Sequence, residues 1–225
     1  MARIISVSEH LELEVKRHRR LSLLSLGLAL LITLSSLLYL PPLSLLALPL
    51  FALAARFWGK SNIYLKGLRG ELEVLEELKA LPDDYLIVHS LPIPGLGDLD
   101  LLVVGPTGIY AIEVKKWYGR GIELEDGTWR IDLGTRVKEV KSPIPKLKLR
   151  TSYLKRLGIS AKPLMVMAGQ AKPLRLKDEE GVEILDPEEL LAYIFYRDRK
   201  FSEKELKKVR SKVLALVRKF RTSEV

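Results

Sequence analysis

The pattern of apolar and polar positions divides the chain near residue 60. Leu21 to Leu40 is a run of 20 residues without a charge. As a helix it is about 30 Å long, the thickness of a bilayer's hydrocarbon core. Pro41-Pro42 breaks it, since neither residue donates a backbone N–H. A second apolar run, Leu43 to Trp58, is interrupted by Pro49 and closes on Arg56, Phe57 and Trp58. At about 24 Å as a helix it is short for a span. Beyond Ser61 the spacing becomes that of a soluble α/β domain. Leu68, Leu72, Leu75 and Leu78 predict a helical stripe over Leu68 to Leu81, stopped by Pro82. Tyr85 to Leu91 predicts a strand, and Asp98 to Trp117 a β-hairpin after a Pro92 to Gly97 loop. A second hairpin is predicted from Gly121 to Glu125 and Thr128 to Leu133, around the turn signal Asp126-Gly127. Pro143 to Leu157 predicts a helix closed by Gly158. Lys162 to Ala168 and Val182 to Leu185 read as strands. Pro187 to Tyr196 and Ser202 to Phe220 read as closing helices, the last opened by a Ser202–Glu205 capping box.

Three membrane arrangements fit the N-terminal pattern. The best is a transmembrane helical hairpin over residues 21–58 with both ends on the cytoplasmic side. Basic residues flank it on both sides: Lys16 to Arg20 before, and Arg56, Lys60, Lys66 and Arg69 after. A single span with a re-entrant second segment would put the main domain across the membrane. A cleaved signal peptide is the third, with Ala52-Leu53-Ala54 as the small-x-small site, but the apolar stretch is far too long for it. The expected organisation is a basic cytosolic lead (1–20), the hairpin (21–58), a domain (61–170), and a C-terminal strand with basic helices (171–225). The chain is then a multi-pass protein of the cell membrane whose soluble domain faces the cytoplasm. Roughly 165 residues after the apolar runs suffice for one ordinary core.

Composition narrows the chemistry. There is no cysteine, which excludes disulfides and thiolate-bound zinc. Only three histidines are present, His10, His18 and His89, so a histidine-rich metal site is not expected. The net charge is +9 and the pI about 9.6. That balance favours polyanions, either nucleic acid or anionic lipid headgroups, although solvated helix faces and membrane-flanking charge produce the same excess.

The hairpin carries the candidate site. Folded about Gly105-Pro106-Thr107-Gly108, Asp100 falls opposite Glu113 and Asp98 opposite Lys115. Leu99, Leu101 and Val103 then share a core face with Val114, Ile112 and Tyr110. The other face is apolar near the turn and charged at the far end, so the charged end is expected to open into a cleft. Both faces are rich in Leu, Ile and Val, which implies a sheet covered on both sides. Two carboxylates placed opposite each other destabilise a hairpin unless something neutralises them, and a divalent cation with oxygen ligands does so. Asp100 and Glu113 are therefore candidate Mg²⁺ ligands, with Mn²⁺ as the alternative ion. Lys115 is placed to orient or deprotonate water or to stabilise phosphoryl charge. Glu71, just after Gly70, is a further candidate carboxylate. Asp98 with Lys115 reads as a plain cross-strand salt bridge, and His89 as structural.

The ordered set Lys66-Gly-Leu-Arg-Gly-Glu71, Gly97-Asp-Leu-Asp100, Gly105-Pro-Thr-Gly-Ile-Tyr-Ala-Ile-Glu113-Val-Lys115 and Tyr118-Gly-Arg resembles the nuclease-related domain (NERD) family. The resemblance covers about residues 61–170. It implies the PD-(D/E)xK restriction-endonuclease-like fold, a mixed sheet flanked by helices, and Mg²⁺-dependent cutting of nucleic acid. By that resemblance Asp100 and Glu113 bind metal, Lys115 is catalytic, and Glu71 is the helix glutamate. The family also often pairs this domain with membrane segments. One departure is visible. Where the family opens a helix with Asn-Pro-x-x-Gln, this chain has Ser142-Pro143-Ile-Pro-Lys146. Lysine cannot accept a hydrogen bond as glutamine does, but its ammonium suits phosphate.

Basic residues supply the expected nucleic-acid contacts: Lys116, Lys141, Lys146, Lys148 and Arg150, with a second basic face along the last helix. No aromatic interleaving marks a single-strand stacking platform. The function expected is that of a membrane-anchored, Mg²⁺-dependent nuclease acting on nucleic acid, DNA in the first instance. The alternative is a catalytically silent membrane adaptor holding nucleic acid or a protein partner through its basic faces. No small organic cofactor is expected, a homodimer is compatible with the pattern, and residues 61–225 are expected to carry the activity alone.

Overall fold

The computed structural model describes residues 1–38, 41–125, 128–170, 178–179 and 181–222. The predicted Asp126-Gly127 turn lies outside them. The chain forms two compact units: Glu9–Arg69, and Met1–Ser8 together with Gly70–Val225.

The first unit contains α1 (His10–Leu38), a 3₁₀ turn at Pro41–Leu46, and most of α2 (Ala47–Leu78). Ser22 Oγ donates to Ala54 O at 2.9 Å and Ser61 Oγ to Val15 O at 3.4 Å. The His18 ring stacks on Phe57 and Tyr64 at 5.8 and 5.5 Å. Residue numbers rise on α1 as they fall on α2, so this part of the pair is antiparallel. Among the described residues one stretch, His10–Ser36, is long and apolar enough to cross a membrane by length and composition. Among the described residues the second apolar run forms no helix that passes the same test. Its start is 3₁₀, and Pro49 sits in the first turn of α2, where a missing N–H costs nothing. From there α2 continues unbroken through Lys60 and absorbs the helix predicted from Leu68.

The second unit is built on a mixed seven-stranded sheet in the order β1-β2-β3-β4-β8-β10-β9. Its strands are β1 (Arg3–Ser6), β2 (Leu86–Ile93), β3 (Gly97–Gly105), β4 (Gly108–Lys115), β8 (Lys162–Met167), β9 (Asp178–Glu179) and β10 (Val182–Leu185). A smaller antiparallel sheet holds β5 (Gly121–Glu125), β6 (Thr128–Asp132) and β7 (Val137–Lys141). Helices α3 (Ile144–Arg156) and α5 (Glu203–Thr222) share one core with one face of the large sheet, and Trp129 of the small sheet joins them. The end of α2 and α4 (Pro187–Phe195) bury Val74, Leu78, Leu190 and Ile194 in a core on the other face. Both faces are covered, as the two-sided apolar strands required.

Three differences from the sequence pattern matter. Residues 3–6, read as part of a polar lead, form a strand parallel to β2, so a fragment starting at residue 61 lacks an edge of the sheet. Strand β7, carrying Lys138 and Lys141, was not predicted, because Val-Lys-Glu-Val-Lys has no alternation of period two. The buried stripe of α2 is Glu71, Val74, Leu75 and Leu78, while Leu72 is 41% exposed. The charge, not the leucine, is on the inner face.

The β3–β4 turn is tightly packed. Tyr85, buried, shares a hydrogen bond with Thr107 Oγ1 at 3.0 Å, and its ring lies where a Cβ on Gly105 would stand. Gly105→Ala is expected to destabilise the protein by about 1–3 kcal/mol through overpacking. An unchanged melting temperature would show that the ring can move aside.

Candidate active site

The predicted hairpin register is the observed one over its apolar half. The β3–β4 ladder runs from Gly105–Gly108 to Leu101–Ile112 and stops there. One residue on, the Asp100 carboxylate takes over: Oδ2 accepts the backbone N–H of Val114 at 2.7 Å. That bond leaves Oδ1 for other ligands. Asp98 pairs with Pro92 across the β2–β3 ladder. No ion pair joins it to Lys115 among the described residues. Lys115 turns instead to its own strand, its Nζ donating to Glu113 Oε1 at 2.6 Å and to Val114 O at 3.2 Å.

Glu113 is 6% exposed and held by two cations. Lys115 has Oε1, and Arg150 Nη1 of α3 donates to Oε2. Arg150 is 4% exposed, and its Nε donates to Leu96 O at 3.2 Å. It is therefore a buried partner of Glu113 and not part of the solvent-facing basic surface on which the sequence placed it. The cause is helix periodicity: Leu147, Arg150, Thr151 and Leu154 form the buried stripe of α3.

Glu71 arrives from α2, also buried, and its Oε2 lies 3.0 Å from His89 Nε2. Burial is the main cause that lifts the Asp100 carboxyl well above its ordinary range. Glu113 adds to it, Lys115 opposes, Glu71 adds again, and the Val114 N–H opposes. Burial works against the Lys115 ammonium, yet Asp100 and Glu113 outweigh it and hold its pKa above the usual lysine value. Lys115 is thus a fixed cation here, suited to stabilising charge more than to accepting a proton. Asp100 thus feels both Glu113 and Glu71 at the charged end of the hairpin.

The remaining predicted residues fall around this centre. A Cβ on Gly97 would stand 3.5 Å from Lys146 Nζ and 3.6 Å from Arg150, so exposed Lys146 lies beside the β2–β3 turn. Lys148 is half-buried on α3, and Lys141 is exposed on β7. Lys116 packs over Gly70 and is ion-paired with Glu73. His89, which the sequence pattern reads as structural, is brought against Glu71. Its signal was a polar side chain inside an otherwise apolar strand.

The all-oxygen donor set suits a hard cation such as Mg²⁺, which takes one or two carboxylates and keeps several waters. Among the described residues no group of three His, Asp or Glu side chains is spaced to ligate an ion as it stands. An ion here would draw on Asp100, a share of Glu113, water, and Glu71 through its charge beside Asp100 or through a bound water. Residues 66–168 match the nuclease-related domain family, NERD. That NERD match contains Glu71, His89, Asp100, Glu113, Lys115 and Arg150 and spans a little under half of the chain. No curated protein and no solved structure matches the chain.

Proposed function

We propose that this protein is a membrane-anchored, Mg²⁺-dependent nuclease of the restriction-endonuclease-like superfamily that hydrolyses phosphodiester bonds in nucleic acid. The observation that carries it is the clustering of Asp100 with Glu113 and Glu71 beside a lysine held as a cation. Asp100 and Glu113 hold the metal, whose chemistry is to polarise the phosphoryl oxygens and lower the pKa of bound water. Lys115 faces the negative charge that develops on the phosphoryl oxygens and orients the attacking water. Glu71 adds negative charge near Asp100. Lys141 and Lys146, exposed, offer cations to the phosphate backbone, and half-buried Lys148 lies on the same helix as Lys146, while Lys116 and Arg150 are ion-paired with Glu73 and Glu113.

The experiment uses the full chain in detergent micelles with labelled single- and double-stranded DNA and RNA. Cleavage is expected with Mg²⁺ or Mn²⁺ and none with EDTA. Lys115→Ala should lower it at least a hundredfold, the scale for losing one preorganised charge-stabilising group. Cleavage of no substrate with either ion would overturn the proposal.

One observation favours a second reading. Both Glu113 oxygens are already neutralised by Lys115 and Arg150, an arrangement that would serve a catalytically silent adaptor. Salt-sensitive nucleic-acid binding without cleavage would select it. On the membrane side, the basic flanks of residues 21–58 support two spans with the second unit in the cytoplasm. Protease accessibility of the C-terminus in sealed vesicles tests that orientation, and deletion of residues 21–58 should release the protein from membranes.

A further inference from the structure

Glu71 is the one carboxylate of the cluster that the hairpin does not position. It comes from α2, so something else must fix it relative to Asp100. The side chain that does so is His89, on β2. Its Nε2 lies 3.0 Å from Glu71 Oε2, with both residues less than 10% exposed. Its Nδ1 lies 3.4 Å from Ser6 Oγ. One neutral tautomer satisfies both contacts, with Nε2–H donating to the carboxylate and Nδ1 accepting from the serine hydroxyl.

Ser6 belongs to β1, and the backbone repeats the connection. Ser6 pairs with His89 in the parallel β1–β2 register, and Val7 N–H donates to His89 O at 3.0 Å. Ser90, the next residue, has φ of +51°, the only non-glycine residue with positive φ among the described residues. That conformation is costly for an L residue and persists where the surroundings enforce it. It reverses the alternation of β2: Leu86 and Val88 before it face the same core as Leu91 and Ile93 after it. The alternation thus changes at the residue next to the one that meets Glu71. The chain also leaves this unit after Ser8 and re-enters it at Gly70. The residues beside those two crossings, Ser6 and Glu71, meet at one imidazole.

We infer that His89 is a positioning residue that holds the Glu71 carboxylate toward Asp100, and that the N-terminal strand β1 is a working part of this site. The inference rests on the metal-dependent reading above and extends it to residues outside the hairpin. A hydrogen-bonded partner behind a metal-site carboxylate fixes its orientation, and loss of such a partner costs roughly 10–100-fold in metal affinity or activity.

The test is made on the full chain in detergent micelles with His89→Ala, His89→Gln and Ser6→Ala. Mn²⁺ affinity is read from the electron paramagnetic resonance signal of the free ion, and kcat and KM from cleavage. His89→Ala is expected to weaken Mn²⁺ binding about tenfold or more and to lower kcat on the same scale, with KM for nucleic acid unchanged. His89→Gln, whose amide N–H can stand where Nε2–H stood, is expected to recover most of both. Ser6→Ala should give a smaller loss of the same kind. Wild-type Mn²⁺ affinity in His89→Ala, or no recovery in His89→Gln at an unchanged melting temperature, would overturn the inference. If the wild type binds Mn²⁺ but cuts nothing, the nuclease reading fails while the affinity series still decides His89. If it binds no Mn²⁺, both fail.

Discussion

Asp100→Asn is expected to abolish cleavage, by about a thousandfold or more, and at the same time to make the metal-free protein more stable at neutral and alkaline pH. The two effects have one cause. The native fold holds the Asp100 carboxyl well above its usual range, first through burial and then through Glu113. The folded state therefore binds that proton more tightly than the unfolded chain does. Stability must fall as pH rises through the window between the ordinary carboxylate value and the raised one. Above the window the ionised carboxylate is a standing penalty, because burial and two neighbouring carboxylates outweigh Lys115 and the Val114 N–H. Asparagine removes the charge and keeps an oxygen to accept from Val114. Melting curves in EDTA should show Asp100→Asn above the wild type at pH 8, with the gap closing toward pH 4. A gap of about 1 kcal/mol corresponds to roughly 2–4 °C for a chain of this size. Adding Mg²⁺ should stabilise the wild type by mass action and leave Asp100→Asn unmoved. A variant that cuts normally, or melts lower at pH 8, would refute the metal-ligand assignment.

What the sequence made legible follows from the kind of constraint each element obeys. The hairpin register was readable because a two-residue turn leaves one symmetric pairing, and a slip by one residue would turn Leu101 and Leu102 to the wrong faces. The double-sided core was readable because apolar residues filled both alternating sets. Strand β1 was not, since four residues carry too little pattern and its partner lies about 80 positions away, as Ser6 opposite His89 makes plain. The long apolar stretch was readable by composition, but its division was not. The second apolar run merges into a helix that continues to Leu78, because Pro49 falls where a helix tolerates it. Two site residues were visible in a way that leucine spacing obscured. Glu71 stands on the stripe with Val74, Leu75 and Leu78, and Arg150 on the stripe with Leu147, Thr151 and Leu154. A charged residue at a core position of an amphipathic helix must find a buried partner, and here those partners are His89 and Glu113.

Arg150→Ala carries the second large effect. Removing one member of a buried ion pair typically costs about 3–5 kcal/mol, because the surviving charge stays buried and unpaired. Lys115 still holds one oxygen of Glu113, which places the expected loss near the lower end, about 3 kcal/mol. That is on the order of 6–12 °C in melting temperature for a chain of this size. Arg150→Lys should fall between, since an ammonium keeps the charge but cannot span both Glu113 and Leu96 O as the guanidinium fork does. The same substitution separates the two roles open to this residue. A phosphate contact that is lost lowers the slope of log affinity against log salt by about one. Arg150→Ala should leave the slope of nucleic-acid binding unchanged, whereas Lys146→Ala should reduce it. If Glu113 belongs to a metal site, Mg²⁺ should also stabilise Arg150→Ala by more than it stabilises the wild type. The carboxylate freed from one cation is then a better ligand for another. A reduced salt slope with an unchanged melting temperature would return Arg150 to the nucleic-acid surface. Equal stabilisation of variant and wild type by Mg²⁺ would leave Glu113 with its two protein cations and take it out of the metal site.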